Sequence, residues 1–506
     1  MRIAGLLGTT RIRKALRIAS SMLVAMTLGS CASVAGTDSP NDSASLPVIT
    51  IMMPLHFPRE PDPALIERIG ELTGTRLEID WVRDEIYADK LNAALTMNAM
   101  KQATFVKYTD YMGMKSALRS GMFWEIGPYL KDYPNLSRLD EDILNQTSVD
   151  DKLYGLYTER LSSRQGIILR EDWLDRLALE PPGTPEELYE VLRQFTYNDP
   201  DGNGLQDTFG LADRNDLIFG AFKTLSSYMG TPNNWEIQDH AFVPEFATPP
   251  YVDTMNYMKR LYDEKLVNPD FIVTSKEIQR DLFITGQAGV YIGSMTDVDR
   301  LADEAQQVDP DARLTVVNRI AGPKGFRIWS IPNYNGLFLF SKSAIKTEED
   351  LRQALAYFDR SMEADVANLM KYGVEGRHYT LVGDEVHLPE RSAQPYVSEI
   401  DPLYALMIAD LGNPNVKKVV RGDQLLSLAE KLSKDNEGFI VRDPTVNLES
   451  DVFDEKSAEL QQIITDATYN YILGKIDQAG FDKEVAKWRT SGGNEIIAQF
   501  GKSYLE

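Results

Sequence analysis

"LPVITIMMPLHFPREPDPALIERIGELTGTRLEIDWV", Leu46–Val82, holds three elements in a row. Leu46 to Pro54 is apolar and rich in β-branched residues, the pattern of a strand. From Asp62 to Gly74 the residues Ile66, Ile69 and Leu72 recur at helical spacing, and Gly74 supplies the stop. Thr75 to Val82 alternates apolar and polar residues, as a strand with one covered face does. Strand, helix, strand opens an α/β domain.

The same alternation continues along the chain. "KLYGLY" (Lys152–Tyr157) and "QGIILR" (Gln165–Arg170) are short strands, and "AGVYIGSM" (Ala288–Met295) is a buried one. "TPEELYEVLRQF" (Thr184–Phe195) is a helix whose start is written out: Thr184 caps, Pro185 suits the first position, and Glu187 completes a capping box. Thr347 and Asp350 make a second box before "LRQALAYFDRSM". Met255, Met258, Leu261 and Tyr262 share one helix face. The C-terminal helix "DKEVAKWRTSGG" should stop at Gly492 and Gly493.

Upstream of Leu46 the composition changes. Arg2, Arg11, Arg13, Lys14 and Arg17 precede a short apolar run, Ile18–Gly29, with no acid among them. A basic region followed by an apolar one too short for a bilayer span reads as a secretory signal over residues 1–30, the alternative being a single anchor helix. The one cysteine of the chain, Cys31, closes "LGSC" (Leu28–Cys31), which resembles a bacterial lipobox, so the thiol is the expected lipid attachment point. Small and polar residues from 31 to 46 read as a tether. One cysteine excludes an internal disulfide and a zinc–cysteine cluster.

Hydrophobic residues make up 43% and charged residues 25% of the 506, an ordinary globular balance with room for two to four domains. The net charge of −23 opposes nucleic acid and anionic membrane as partners. No two of the four histidines stand at helical zinc-protease spacing, and neither a G-x-S-x-G elbow nor a phosphate-binding P-loop is present. With 76 acidic residues, a glycosidase pair is neither excluded nor indicated.

The segment richest in chemistry is "NDPDGNGLQDTFG", Asn198–Gly210. Asp199, Asp201, Asn203 and Asp207 fall at alternating positions, Gly204 occupies the sixth place and Leu205 the seventh, where the backbone carbonyl binds. These are the first nine positions of an EF-hand-type calcium loop, built from hard oxygen donors. The twelfth position, glutamate in a complete loop, is Gly210. Thr208, Asp213 or Asp216 would then complete the shell, or the segment is a metal-free Asx turn. Its place directly after a capped helix suggests a structural clip. Outside the cell a site with a dissociation constant on the order of 10⁻⁴ M would still fill.

"GIILREDWLDRLALEPPGTPEELYEVLRQFTYNDPDGNGLQDTFGL" (Gly166–Leu211) resembles the family 1 extracellular solute-binding lipoproteins of carbohydrate ABC importers, especially the large firmicute lipoproteins and the alginate-binding proteins. "LRSGMFWEIGPYLKDYPNL", "LYDEKLVNPDF", "GQAGVYIGSM", "KYGVEGRHY" and "DKEVAKWRTSGGNEII" extend the likeness from about residue 115 to 500. The resemblance implies a two-lobed α/β fold of the type II periplasmic-binding class, with a hinge and a central cleft. It implies structural Ca²⁺ at Asp199, Asp201, Asn203, Leu205 and Asp207, with Thr208 departing from the acid that relatives carry. It also implies a monomer with no enzymatic activity, lipid-anchored on the extracytoplasmic face, that passes an oligosaccharide to permease subunits. A surface polysaccharide-degrading enzyme and a glycan sensor without transport are the alternatives. The expected lobes are 47–160 with about 315–375, and about 161–314 with 376–506 carrying the calcium loop.

Sugar recognition combines aromatic stacking with hydrogen bonds to hydroxyls. Trp173 and Trp488 read as core. Trp235 in "TPNNWE", and Trp329 with Tyr334 in "RIWSIPNYNG", lie in polar, loop-like surroundings and are the cleft candidates. Tyr157 and Tyr291 stand at strand ends, where α/β clefts place ligands. Arg377 and His378 either meet a uronate carboxylate or pair with a surface acid. Where the family carries a polar Asp/Gly/Pro turn, this chain has Met97, Met100, Met112 and Met114, so ligand contacts there are expected to differ.

Overall fold

The computed structural model describes residues 46–57, 59–239, 241–389, 399–421 and 424–505. The signal, Cys31 and most of the tether lie outside these residues. In chain order the strands are β1 (Val48–Leu55), β2 (Arg76–Arg83), β3 (Ala103–Lys107), β4 (Gly155–Glu159), β5 (Gln165–Arg170), β6 (Phe209–Ala212), the hairpin β7 (Trp235–Gln238) and β8 (Ala241–Pro244), β9 (Ala288–Ser294), β10 (Leu314–Val317), the hairpin β11 (Ala321–Gly322) and β12 (Gly325–Phe326), β13 (Ile328–Trp329) and β14 (Tyr334–Phe340), followed by four short strands between Thr380 and Val441.

Two sheets organise two lobes. The N-terminal lobe has the order β2-β1-β3-β14-β4, the C-terminal lobe β10-β5-β9-β6. The opening unit forms as its pattern requires. β1 and β2 pair in parallel from Val48↔Arg76 to Leu55↔Arg83. The helix between them, Pro63–Thr73, starts at Asp62, whose side chain accepts from the Ala64 N–H, and ends at Gly74 with φ 67°. Only glycine takes that left-handed cap without strain. Leu65 and Ile69 of this helix are buried, and Ile66 and Leu72 pack against the same core.

Lobe membership differs from expectation at two boundaries. β10 pairs antiparallel with β5, and Ile328 and Trp329 lie in the C-terminal core, so the return to the N-terminal lobe comes near residue 331 rather than 315. Ile400, Leu403 and Leu406–Ala409 belong to the N-terminal core, so that lobe extends past 376. The helix Gln424–Asp435 then packs on the C-terminal lobe, with Ala429 buried beside Leu314 and Val316. Both errors come from long-range pairing that local patterning does not encode. At the C-terminus the helix breaks where expected: Gly492 has φ 146° and kinks the chain between two helices. Gln478–Trp488 runs through a wide turn, Arg489–Gly493, into Asn494–Leu505. A Cβ on Gly493 would stand 2.2 Å from the Trp488 ring, so glycine lets the chain bend around the indole.

Both capped helices form. Thr347 and Asp350 exchange both bonds of a capping box. Thr184 accepts from the Glu187 N–H, but the Glu187 carboxylate accepts from Gly183 rather than Thr184. Among the described residues no helix is long and apolar enough to cross a membrane.

Candidate functional site

Strand polarity locates the cleft. The chain leaves β4 at Glu159 and enters β5 at Gln165, and β9 runs antiparallel to β5 with Ser294 opposite Gln165. β6 is parallel to β9, so its end at Ala212 faces the same way. In the N-terminal lobe Tyr334 opposes Glu159 and Gly336 opposes Lys107. The ends of β1 and β2, at Leu55 and Arg83, lie on that side too. Carboxyl ends of parallel strands from both sheets therefore meet at the crossing between lobes, where open α/β sheets bind ligands.

The crossing itself is a small hydrogen-bonded ladder. Arg160 N–H donates to the Asn333 carbonyl at 2.9 Å, and Ile331 N–H to that of Ser162 at 2.9 Å. Asn333 Nδ2 donates to Ser162 Oγ at 2.6 Å, and Arg442 to Asn333 Oδ1 at 3.1 Å. The Glu437 carboxylate accepts from Ser162 N–H at 2.7 Å and from its hydroxyl at 3.0 Å. Three segments distant in sequence are thus tied at one place.

Around it stand groups of both charges. Lys107, at the end of β3, pairs with Asp84, which His56 also approaches at 3.3 Å. Beside them a cavity of about 360 Å³ is lined by Leu55, His56, Phe57, Arg83, Asp84 and Glu85. Burial pushes the Tyr108 hydroxyl up, and the Arg160 charge opposes that shift. Arg160 Nε is shielded from solvent and has no hydrogen-bond partner among the described residues. Burial, and then Arg164, push Arg160 down to about 10, which leaves it charged at neutral pH. A buried ionic donor left unmade costs on the order of 1–3 kcal/mol or more. On the C-terminal lobe, Phe219 follows β6, is 39% exposed, and meets the Trp329 ring edge-on at 5.6 Å.

The aromatic candidates fare unevenly. Trp235 does not face a cleft: it packs in the C-terminal core, its ring 5.3 Å from Phe500 and 6.1 Å from Trp488. Trp329 is only 3% exposed, and its indole N–H donates to Thr224 Oγ1 at 3.0 Å, so Phe219 offers the accessible face of that pair. Tyr157 is buried and its hydroxyl accepts from Asp140 N–H. Tyr291 packs against Phe283. These four were misread because short loops and strand ends can still fold into a core. Tyr334 is also buried, yet it lies at the crossing, 6.4 Å edge-on from Tyr108, with its hydroxyl unpartnered among the described residues. Arg377 already pairs with Glu399 and Asp62, and His378 with Glu399, which is the surface-acid alternative. Met100 and Met114 are buried, so that region contributes packing, while Lys107 and Tyr108 between them occupy the cleft end of β3. Arg160, Tyr108 and Phe219 carry no local sequence signature: Arg160 and Tyr108 directly follow β4 and β3, and Phe219 stands just before the helix Ala221–Tyr228.

The Asp-rich loop connects the helix Pro185–Tyr197 to β6. Asp199, Gly202 and Gly204 have positive φ, which folds it tightly. Asn203 Nδ2 donates to Asp201 at 2.8 Å and to Asp207 at 3.3 Å, and Asp199 accepts from Gly204 N–H at 3.1 Å. Asp199 Oδ1 is shielded and has no hydrogen-bond partner among the described residues. Burial raises the Asp201 carboxyl, and Asp199 and Asp207 raise it further. Crowded, mutually repelling oxygens are the donors a hard cation takes, while Asn203 here presents its amide to Asp201 and Asp207 and its carbonyl to Leu205 N–H. Among the described residues, however, no three His, Cys, Asp or Glu side chains already converge as a metal site. Leu205 is exposed in the loop. Thr208 is not brought to these oxygens: it is buried and donates to the Phe195 carbonyl at 2.8 Å. Asp213 and Asp216 are likewise committed, to the N–H groups of Ala221 and of Ile218 and Phe219. The missing glutamate has a steric cause. A Cβ on Gly210 would stand 2.5 Å from the Leu192 carbonyl, so helix and strand approach too closely for any side chain.

Comparison with known proteins agrees with this architecture. Over 476 residues, 94% of each chain, the sequence is 44% identical to the polygalacturonan/rhamnogalacturonan-binding protein YtcQ of Bacillus subtilis. It is 32% identical to the lipoprotein LipO of the same organism, covering 95% of this chain and 97% of that one. The structure of the alginate-binding protein AlgQ2 without calcium ion superposes with a TM-score of 0.67 at 14% identity, covering 92% of this chain and 99% of that one. That likeness shows that the two proteins share a fold. The family model for bacterial extracellular solute-binding proteins matches residues 60–359, and together with the two lobes and their crossing this makes the chain a member of that family.

Proposed function

We propose that this protein captures an acidic oligosaccharide, a fragment of polygalacturonan or rhamnogalacturonan, between its lobes and delivers it to the permease of an ABC importer. The observation that carries this reading is the 44% identity with YtcQ across 94% of both chains. The lobes are joined by a narrow three-segment crossing, and a ligand that touches both sheets favours the closed arrangement. No bond is made or broken. The chain is held outside the cell through lipid on Cys31, as its LGSC sequence and the lipoprotein relative support. Asp199, Asp201, Asn203, Asp207 and the Leu205 carbonyl hold Ca²⁺, which neutralises the crowded carboxylates and clips the helix to β6.

A thermal-shift screen tests the ligand. Oligogalacturonates should raise the unfolding midpoint, since a ligand that binds only the native state stabilises it by about 2.7 kcal/mol at 100 times its dissociation constant. A panel in which only neutral oligosaccharides shift the midpoint would reject the acidic ligand. A panel in which nothing does would reject saccharide capture.

A further inference from the structure

We propose that Arg160 is the residue that reads the ligand's charge: its guanidinium pairs with a uronate carboxylate at the crossing, with Arg164 adding to the local positive field. The inference rests on the reading of the cleft as an oligosaccharide site. Arg160 directly follows β4, and its backbone is fixed by the bond from its N–H to the Asn333 carbonyl. It therefore stands where the two lobes meet and where closure would bring a ligand.

Three other arginines of the fold are met within the protein. Arg170 is bound by Asp172 at 2.6 Å and Asp309 at 2.7 Å. Arg214 is bound by Gln279 at 2.7 Å and Asp216 at 3.3 Å. Arg360 donates to the Thr73 carbonyl at 2.7 Å. Among the described residues the Arg160 guanidinium has no such partner. Its Nε is shielded and unbonded, and the charges that act on it are Arg164 and Tyr108, with no carboxylate among them. Arg327 also has an unbonded Nε, but Glu236 acts on it and it lies beside the β12 hairpin in the C-terminal lobe.

An unopposed guanidinium is unusual in a chain of net charge −23. The field of such a chain repels an anion, so an acidic ligand needs a local positive centre where it docks. A planar guanidinium matches a carboxylate through two parallel hydrogen bonds, which hydroxyls of a neutral sugar cannot reproduce. The ligand would thus supply the acceptor that the protein withholds.

Calorimetric titration of trigalacturonate and of its fully methyl-esterified form separates the possibilities. Wild type should bind the acid more tightly than the ester. Arg160→Gln should weaken the acid by about 10- to 100-fold and leave the ester nearly unchanged, and Arg160→Lys should recover part of the loss. The midpoint of ligand-free Arg160→Gln should stay level or rise, because an unpaired buried charge has been removed. Undiminished acid binding by Arg160→Gln overturns the role of Arg160 and leaves saccharide capture standing. A marked fall in its ligand-free midpoint also overturns it, since the residue would then be structural. Equal wild-type binding of acid and ester overturns charge reading itself. If wild type binds neither, the cleft reading falls and this inference with it.

Discussion

The Asp-rich loop and the interlobe crossing are opposite cases of one problem. In the loop, three carboxylates crowd together with an amide between two of them and one shielded oxygen unbonded. At the crossing, Arg160 is sheltered, and the Arg164 guanidinium adds to the charge around it. Other buried charges are met by an opposite charge within the protein, as at Arg170 and at Lys223 with Glu245. The loop and Arg160 are each short of a counter-charge, of opposite sign. The difference teaches where to look for what comes from outside: a cation at the loop, an anion at the crossing.

The first test fixes which aromatics belong to that comparison. Trp235→Ala should destabilise the C-terminal lobe by about 3–5 kcal/mol, read from denaturant midpoints, because it empties a core site against Phe500 and Trp488. Retained stability with lost ligand binding would return Trp235 to the cleft.

A fully buried carboxyl, met by backbone N–H groups and the Arg214 charge, comes next. Burial raises the Asp213 carboxyl from 3.8 to about 6, although it accepts from the Ala221 N–H. The folded chain then holds a proton that the unfolded chain releases between those pH values. Stability should be greatest below about 4, fall as pH rises through about 6, and level off above it, by ~3 kcal/mol at most. Asp213→Asn should flatten that slope; an unchanged slope in urea midpoints across pH 4–7 would show that another group carries it.

The loop is tested by metal removal. Stripping calcium should lower the unfolding midpoint, and restoring it to 100 times its dissociation constant should recover about 2.7 kcal/mol. Asp201→Asn should blunt the response. No response after verified removal would make the loop an Asx turn. The smallest effect is at Phe219, which is exposed: Phe219→Ala should leave stability nearly unchanged and weaken ligand binding by about 1 kcal/mol.

The loop was legible in the sequence because its chemistry lies within nine consecutive residues, Asp199–Asp207. The strand–helix–strand opening and both helix starts were legible for the same reason: a cap and a periodic face are local. The crossing was not. It is assembled from Arg160, Ser162, Asn333, Glu437 and Arg442, joined by hydrogen bonds across up to 275 residues. The cleft aromatics were misjudged because a polar flank such as "TPNNWE" says nothing about what packs on the ring. Gly210 looked like a missing ligand, and the close approach of Leu192 explains it instead.

The central claim is that an acidic saccharide binds between the lobes and closes them. Small-angle scattering through a titration with oligogalacturonate tests it most directly. The account predicts a saturable fall in the radius of gyration, absent with the methyl-esterified form at the same concentration. An unchanged radius of gyration at concentrations where calorimetry shows the site filled would contradict it.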